Sequence, residues 1–168
     1  MSSLLEETIE AWEDARNGVI AEVKNIPAKH FDFRPTPDNR SVTELVIHII
    51  EVSLMMVGEL TREETDFTRA SFPALIAQHS KPIRGLTTKR ELLPALRRTL
   101  REGVKAFRDA GELHMLQYLV RFDGQPGTRL AWFHHGIAQE MYHRGQLALY
   151  QRLMGITPAL TKLIHSSD

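Results

Sequence analysis

The chain contains no cysteine. Disulfides, zinc–thiolate centres and cysteine nucleophiles are therefore excluded, and a cytoplasmic location is the expectation. Neither sign of charge is in excess, because 21 Lys+Arg balance 21 Asp+Glu. Without a basic surplus or a nucleic-acid-binding motif, the sequence gives no footing for a nucleic-acid partner. The cluster Arg97, Arg98 and Arg101 reads as a solvated helix face. No apolar run reaches the roughly 20 residues that span a bilayer, so no membrane partner is expected. The N-terminal stretch has no basic region followed by an apolar run, which argues against a signal peptide. Alternating, β-branched segments are scarce, and the chain reads as all-α.

What is present is helical periodicity, and 168 residues suit a single domain spanning 1–168. Leu5, Ile9, Trp12, Val19 and Val23 recur at helical steps and predict a first helix from about Ser3 to Lys24, stopped by Pro27. The stretch Phe31 to Arg40 holds two prolines and cannot be helical. Ser41 with Glu44 forms a capping box that opens a second helix, to about Thr61. That helix is apolar over most of its circumference, so it is either central or covered by a second subunit, which suggests a homodimer. A long connection follows from Arg62 to Thr87, with one short helix near Phe72–Gln78. A connector of that length can cross the whole bundle and leave the next helix parallel to its predecessor. The third long helix runs from Thr88 to Ala110–Gly111, and the fourth from Thr128 to Met154.

The chemistry concentrates on the fourth helix. At about 100° per residue, Trp132, His135, Gln139, His143, Gln146 and Tyr150 fall in one stripe beside Leu147, Leu149, Leu153 and Met154, which reads as inward-facing. Arg144, Gln151 and Arg152 read as the opposite face. Buried imidazoles and amides need partners or a ligand, since unpaired burial costs a few kcal/mol. His48, on the apolar second helix, can meet this row across the core, and facing helices are where bundles build metal sites. A lone core histidine is more often a packed residue than a ligand, but two on separate buried helices make a shared site an even alternative. His30, His79, His114, His134 and His165 read as surface or loop residues.

These features resemble the DinB (DNA-damage-inducible) superfamily, which includes metal-dependent bacillithiol- and mycothiol-dependent S-transferases and isomerases. The resemblance rests on Arg34-Pro35-Thr36-Pro37 through Arg40-Ser41-Val42 followed by His48, on His143-Arg144-Gly145-Gln146, and on the ending Tyr150 through Pro158. It implies a four-helix bundle in up-down-down-up order, commonly dimeric, holding a divalent metal (zinc or nickel) on three histidines. His48 and His143 match the first and last ligands, but the middle position is Gln139. An amide oxygen is a weaker ligand than imidazole. His135, about 6 Å further along the helix axis, is too far to replace it. Three outcomes follow: a site of His48, Gln139 and His143, a site rescued by Glu44 or Glu51, or a site without metal. The first is the expectation. The resemblance further implies a metal-dependent S-transferase-like enzyme acting on a small-molecule substrate, with a low-molecular-weight thiol as co-substrate. Tyr142, Gln146, Trp132 and Tyr150 are then pocket or ligand-orienting candidates. The alternative is a non-catalytic dimeric bundle that binds a small ligand.

Overall fold

The computed structural model describes residues 3–166, so the first two and last two positions of the expected domain lie outside the described residues. Four long helices carry the architecture: α1 (Leu4–Asn25), α2 (Val42–Leu60), α4 (Lys89–Ala110) and α6 (Arg129–Leu153). Short helices α3 (Phe72–His79), α5 (Glu112–Met115) and α7 (Ala159–His165) fill the connections and the end.

Each long helix begins where the side chains can satisfy its free N–H groups. Ser3 accepts from Glu6 N, Thr128 accepts from Ala131 N, and the Ser41–Glu44 capping box closes reciprocally at 3.2 and 2.7 Å. Pro94 falls in the second turn of α4 with an exposed side, where the helix continues through it.

The order is up-down-down-up, and cross-helix contacts fix it. Glu6 pairs with Arg108, and Lys89 Nζ donates to the carbonyls of Lys24 and Ile26, so α4 runs antiparallel to α1. Thr8 meets His134 and Gln151 donates to Glu22, so α6 runs parallel to α1. Arg129 reaches Leu60 O at one end of α2, and Tyr150 reaches Arg40 O at the other, so α2 and α6 are antiparallel.

The apolar interior splits into two clusters stacked along the bundle. One is built on Trp12, Phe107 and Phe133, with Phe107 and Phe133 stacked at 4.2 Å. The other gathers Val19, Ile49, Leu96 and Leu147. Gly103 lets α4 approach, since a Cβ there would lie 2.5 Å from Trp12 Cη2. Between the clusters lies a polar layer: Arg16 on α1, Thr99 on α4 and Glu140 on α6. Arg16 grips Glu140 bidentately at 2.8 and 2.6 Å, and Trp12 Nε1 donates to the same carboxylate at 2.7 Å.

Some expectations need correction. The all-α reading holds for the bundle, but Tyr118–Val120 and Pro126–Thr128 pair as a short antiparallel hairpin. Its strands have three residues each and only Leu119 is buried, too little to show periodicity. The apolar circumference of α2 is covered within the chain, chiefly by α4, α6 and α3, which is the central one of the two placements expected for it. On α6 the sides are rotated from expectation. Leu149 and Leu153 are more than half exposed, whereas Gln151 is wholly buried and bonded to Glu22. Contact with α1 explains the difference, for Glu140 and Gln151 point at polar partners there. Among the described residues no helix is long and apolar enough to cross a membrane.

Candidate metal centre

His48 and His143 meet in the same mid-height layer as the Arg16–Glu140 pair. Their ring centroids lie 5.0 Å apart with the planes nearly perpendicular, at 84°. His143 is 6% exposed and His48 is half-buried. His143 Nδ1 donates to Gln146 Oε1 at 2.6 Å, which fixes the tautomer and leaves Nε2 as the free lone pair. Gln139 Nε2 donates to His48 Nε2 at 3.2 Å, so that imidazole too presents an unprotonated nitrogen. The cost of this contact falls on Gln139 Oε1, which is buried without a partner among the described residues.

Electrostatics favour neutral rings. Burial drives the His48 pKa down to about 4, with Arg40 and His143 adding to the effect. Burial also lowers His143, partly offset by its bond to Gln146 and by the charge of Glu140. Neutral imidazole is the form that ligates a cation.

These residues fit a divalent ion by donor chemistry. A half-turn of the Gln139 amide would exchange its nitrogen for the orphaned oxygen and give two imidazole nitrogens and one carbonyl oxygen. The rescuing carboxylates do not join them. Among the described residues no three His, Asp or Glu side chains converge for a metal, and Glu44 is held by Arg34 and by Ser41 N.

Beside His48 opens a cavity of about 650 Å³, lined by Arg34, Arg40, Glu51, Gln146 and Tyr150 among others. The Tyr150 hydroxyl donates to Arg40 O at 3.0 Å. Burial pushes the Glu51 carboxyl up, against the opposing charge of Arg40. A smaller, more apolar cavity of about 140 Å³ lies against Gln139, between Met56, Phe122 and Trp132.

The predicted stripe is thus divided. Gln139, His143, Gln146 and Tyr150 reach the site or its cavity, Trp132 lines the apolar cavity, and His135 is exposed against Trp132. Tyr142 is 66% exposed and touches His143 only with its ring edge, at 5.1 Å. Three histidines read as unemployed have partners: His79 donates to buried Glu59 at 2.7 Å, His114 to Leu60 O at 2.9 Å, and His134 Nε2 lies 3.4 Å from Thr8 Oγ1. Sequence reasoning missed Arg40 as a cavity residue, and the Arg16–Glu140 pair entirely. A charge at Arg16, between Trp12 and Val19 on the apolar side of α1, was the available signal.

Fold and site together define a class, that of up-down-down-up helical bundles with a histidine pair shared between the second and last long helices. The chain belongs to the DinB family, whose model matches residues 1–167. No functionally curated protein matches the sequence. Among solved structures it is similar to a DinB-like protein from Bacillus subtilis, at 18% identity over 90% of this chain and 93% of that one, TM-score 0.68. A DinB-like protein from Bacillus cereus shares 13% identity over 91% and 94% of the two chains, TM-score 0.69. The mycothiol-dependent maleylpyruvate isomerase is 14% identical over 88% of this chain and 63% of its own, TM-score 0.66. At these identities the likeness is one of fold.

Proposed function

We propose that this protein is a metal-dependent enzyme of the DinB type, holding zinc or nickel through His48, His143 and Gln139. The carrying observation is the perpendicular histidine pair beside a buried amide oxygen that lacks a partner. When bound, such an ion supplies a Lewis acid beside which a thiol or water loses its proton near neutral pH. The chain's own residues do the rest. Gln146 holds His143 in one tautomer, Tyr150 anchors the loop before α2, and half-buried Glu51 is the cavity-wall carboxyl able to take up a proton. The cavity, of about 650 Å³, suits a small molecule together with part of a low-molecular-weight thiol. An S-transferase-like reaction in the cytoplasm is the reading that this combination supports.

Tag-free protein purified without chelators should carry about one zinc or nickel per chain, the stoichiometry of a single site. His48→Ala and His143→Ala should each lose it. Metal content unchanged in both variants refutes the proposal.

One observation favours a second reading, a small-ligand-binding bundle without metal: the Gln139 amide already satisfies His48 through its nitrogen. Metal appearing only in Gln139→His would support that reading.

A homodimer belongs to the same proposal, now on the exposed apolar face of α6, where Met141, Tyr142, Leu149 and Leu153 stand. Sedimentation showing only a 19.2 kDa species at micromolar concentration would remove it.

A further inference from the structure

The cavity beside His48 contains two arginines in different situations. Arg34 is committed: it pairs with Glu44 at 3.2 Å and donates to Asn39 O at 3.3 Å. Arg40 lines the same cavity, and among the described residues its guanidinium has no hydrogen-bond or ion-pair partner. Its backbone, by contrast, is held firmly. Tyr150 bonds its carbonyl at 3.0 Å, and the next residue is the buried N-cap Ser41, locked in the capping box with Glu44. Val42 N and Thr43 N bond back to Phe33 O and Phe31 O at 3.1 and 2.9 Å. The fold therefore presents an unspent cation from a fixed backbone at the edge of the site.

The acids of the cavity do not cancel it. Glu44 belongs to Arg34 and to the α2 cap, and half-buried Glu51 feels the charge of Arg40 but, among the described residues, makes no ion pair or hydrogen bond with it. Asp38 is exposed and bonded to neither arginine. Gln146 adds a neutral donor, since its oxygen is taken by His143 while its amide nitrogen has no partner among the described residues.

We propose that Arg40 is the specificity residue for a carboxylate on the substrate, so that the enzyme acts on small organic acids whose carboxylate lies against Arg40 while the remainder extends past His48. A planar guanidinium offers two parallel N–H groups, the complement of a carboxylate's two oxygens. This deepens the functional reading above and rests on it for the word substrate, but carboxylate binding can be measured without turnover.

The test titrates succinate, with neutral succinamide as control, into tag-free protein as purified and again after chelation, following the arginine Nε–Hε resonances by NMR. Succinate should shift the Arg40 resonance saturably in both preparations, and succinamide should not. Arg40→Gln should weaken succinate roughly ten- to a hundredfold, the range of a lost charge-assisted contact, with Arg40→Lys in between. Circular dichroism should be unchanged, because among the described residues the replaced guanidinium has no hydrogen bond or ion pair to lose.

Succinate affinity within twofold of the parent in Arg40→Gln, equal binding of succinamide, or no saturable binding of succinate would each overturn the inference. Metal content separates the two claims. A parent that binds no metal but shows Arg40-dependent succinate binding refutes the metal proposal and keeps this one. A metal-loaded parent indifferent to Arg40→Gln does the reverse.

Discussion

Glu140→Gln is the substitution with the largest calculable consequence. Glu140 is 1% exposed and Arg16 is fully buried, so the pair has almost no access to water. The carboxylate accepts from Arg16 Nε, Arg16 Nη2 and Trp12 Nε1, all between 2.6 and 2.8 Å. Arg16 Nη1 further donates to Leu96 O and Thr99 Oγ1 at 3.1 Å, so the guanidinium ties α1 to both α4 and α6. Glutamine would leave the guanidinium buried with no counter-charge, and its NH2 group would face donors. Breaking one partner of such a pair costs about 3–5 kcal/mol. A domain of this size has about 5–15 kcal/mol to lose, so urea denaturation should show a much lower midpoint. The double variant Arg16→Met/Glu140→Leu removes both charges and should recover much of the loss, because paired burial contributes little net stability over apolar packing. A loss below about 1 kcal/mol in Glu140→Gln, or a double variant at least as unstable as that single one, would refute the account of this layer. The same substitution removes the charge that favours protonated His143.

Three further outcomes follow from other parts of the molecule. Gln146→Ala frees the His143 ring, and metal affinity measured by competition with a chromophoric chelator should fall about 10–100-fold. Burial pushes Glu59 up, but Arg69 and His79 together hold its carboxyl below the ordinary 4.5. Its contribution to stability is therefore present above that value and is lost as pH falls through the lower folded value; thermal unfolding from pH 6 to 3 should show a smaller decline in Glu59→Gln than in the parent. Gly103→Ala places a methyl 2.5 Å from Trp12 Cη2 and 2.9 Å from Val57 Cγ2, so overpacking should outweigh the gain in helix propensity. A net loss of about 1–3 kcal/mol is expected from chemical denaturation, and a stabilised variant would contradict it.

The elements legible in the sequence were those with strong local signals. The Ser41–Glu44 box, the prolines before α2 and the 3.6-residue periodicity of α1 each announce a helix end or face within a few residues. The His48–His143 meeting was legible because both fall on helices that share a core. What escaped depends on partners far away in sequence. Arg16 is 124 positions from Glu140, and nothing near either residue reveals that one neutralises the other. The facing of α6 was misjudged for the same reason. Leu149 looks buried by type and Gln151 exposed by type, yet Glu22 on α1 draws the amide inward. The hairpin was too short to show a two-residue rhythm, and its turn depends on Gly124 at φ +76°.

Arg40 was read only as part of the entry to α2, because a residue between a loop and a helix cap shows no periodicity, and only the structure brings it to the cavity. The frame that brings it there also fixes the histidine pair. Arg129 clamps the end of α2 by donating to Leu60 O, Glu63 O and Thr65 Oγ1, while Tyr150 holds its beginning through Arg40 O. Between these anchors Gly136 lets Met56 lie against α6, where a Cβ would come within 3.1 Å of Met56 Cε. Two antiparallel helices pinned at both ends and in the middle cannot slide by a turn without breaking buried bonds. His48 therefore stays opposite Gln139 and His143 rather than one turn away at His135. Residues held this way need little reorganisation to bind, so the choice of donor at position 139, nitrogen or oxygen of one amide, is left to the ligand rather than to the fold.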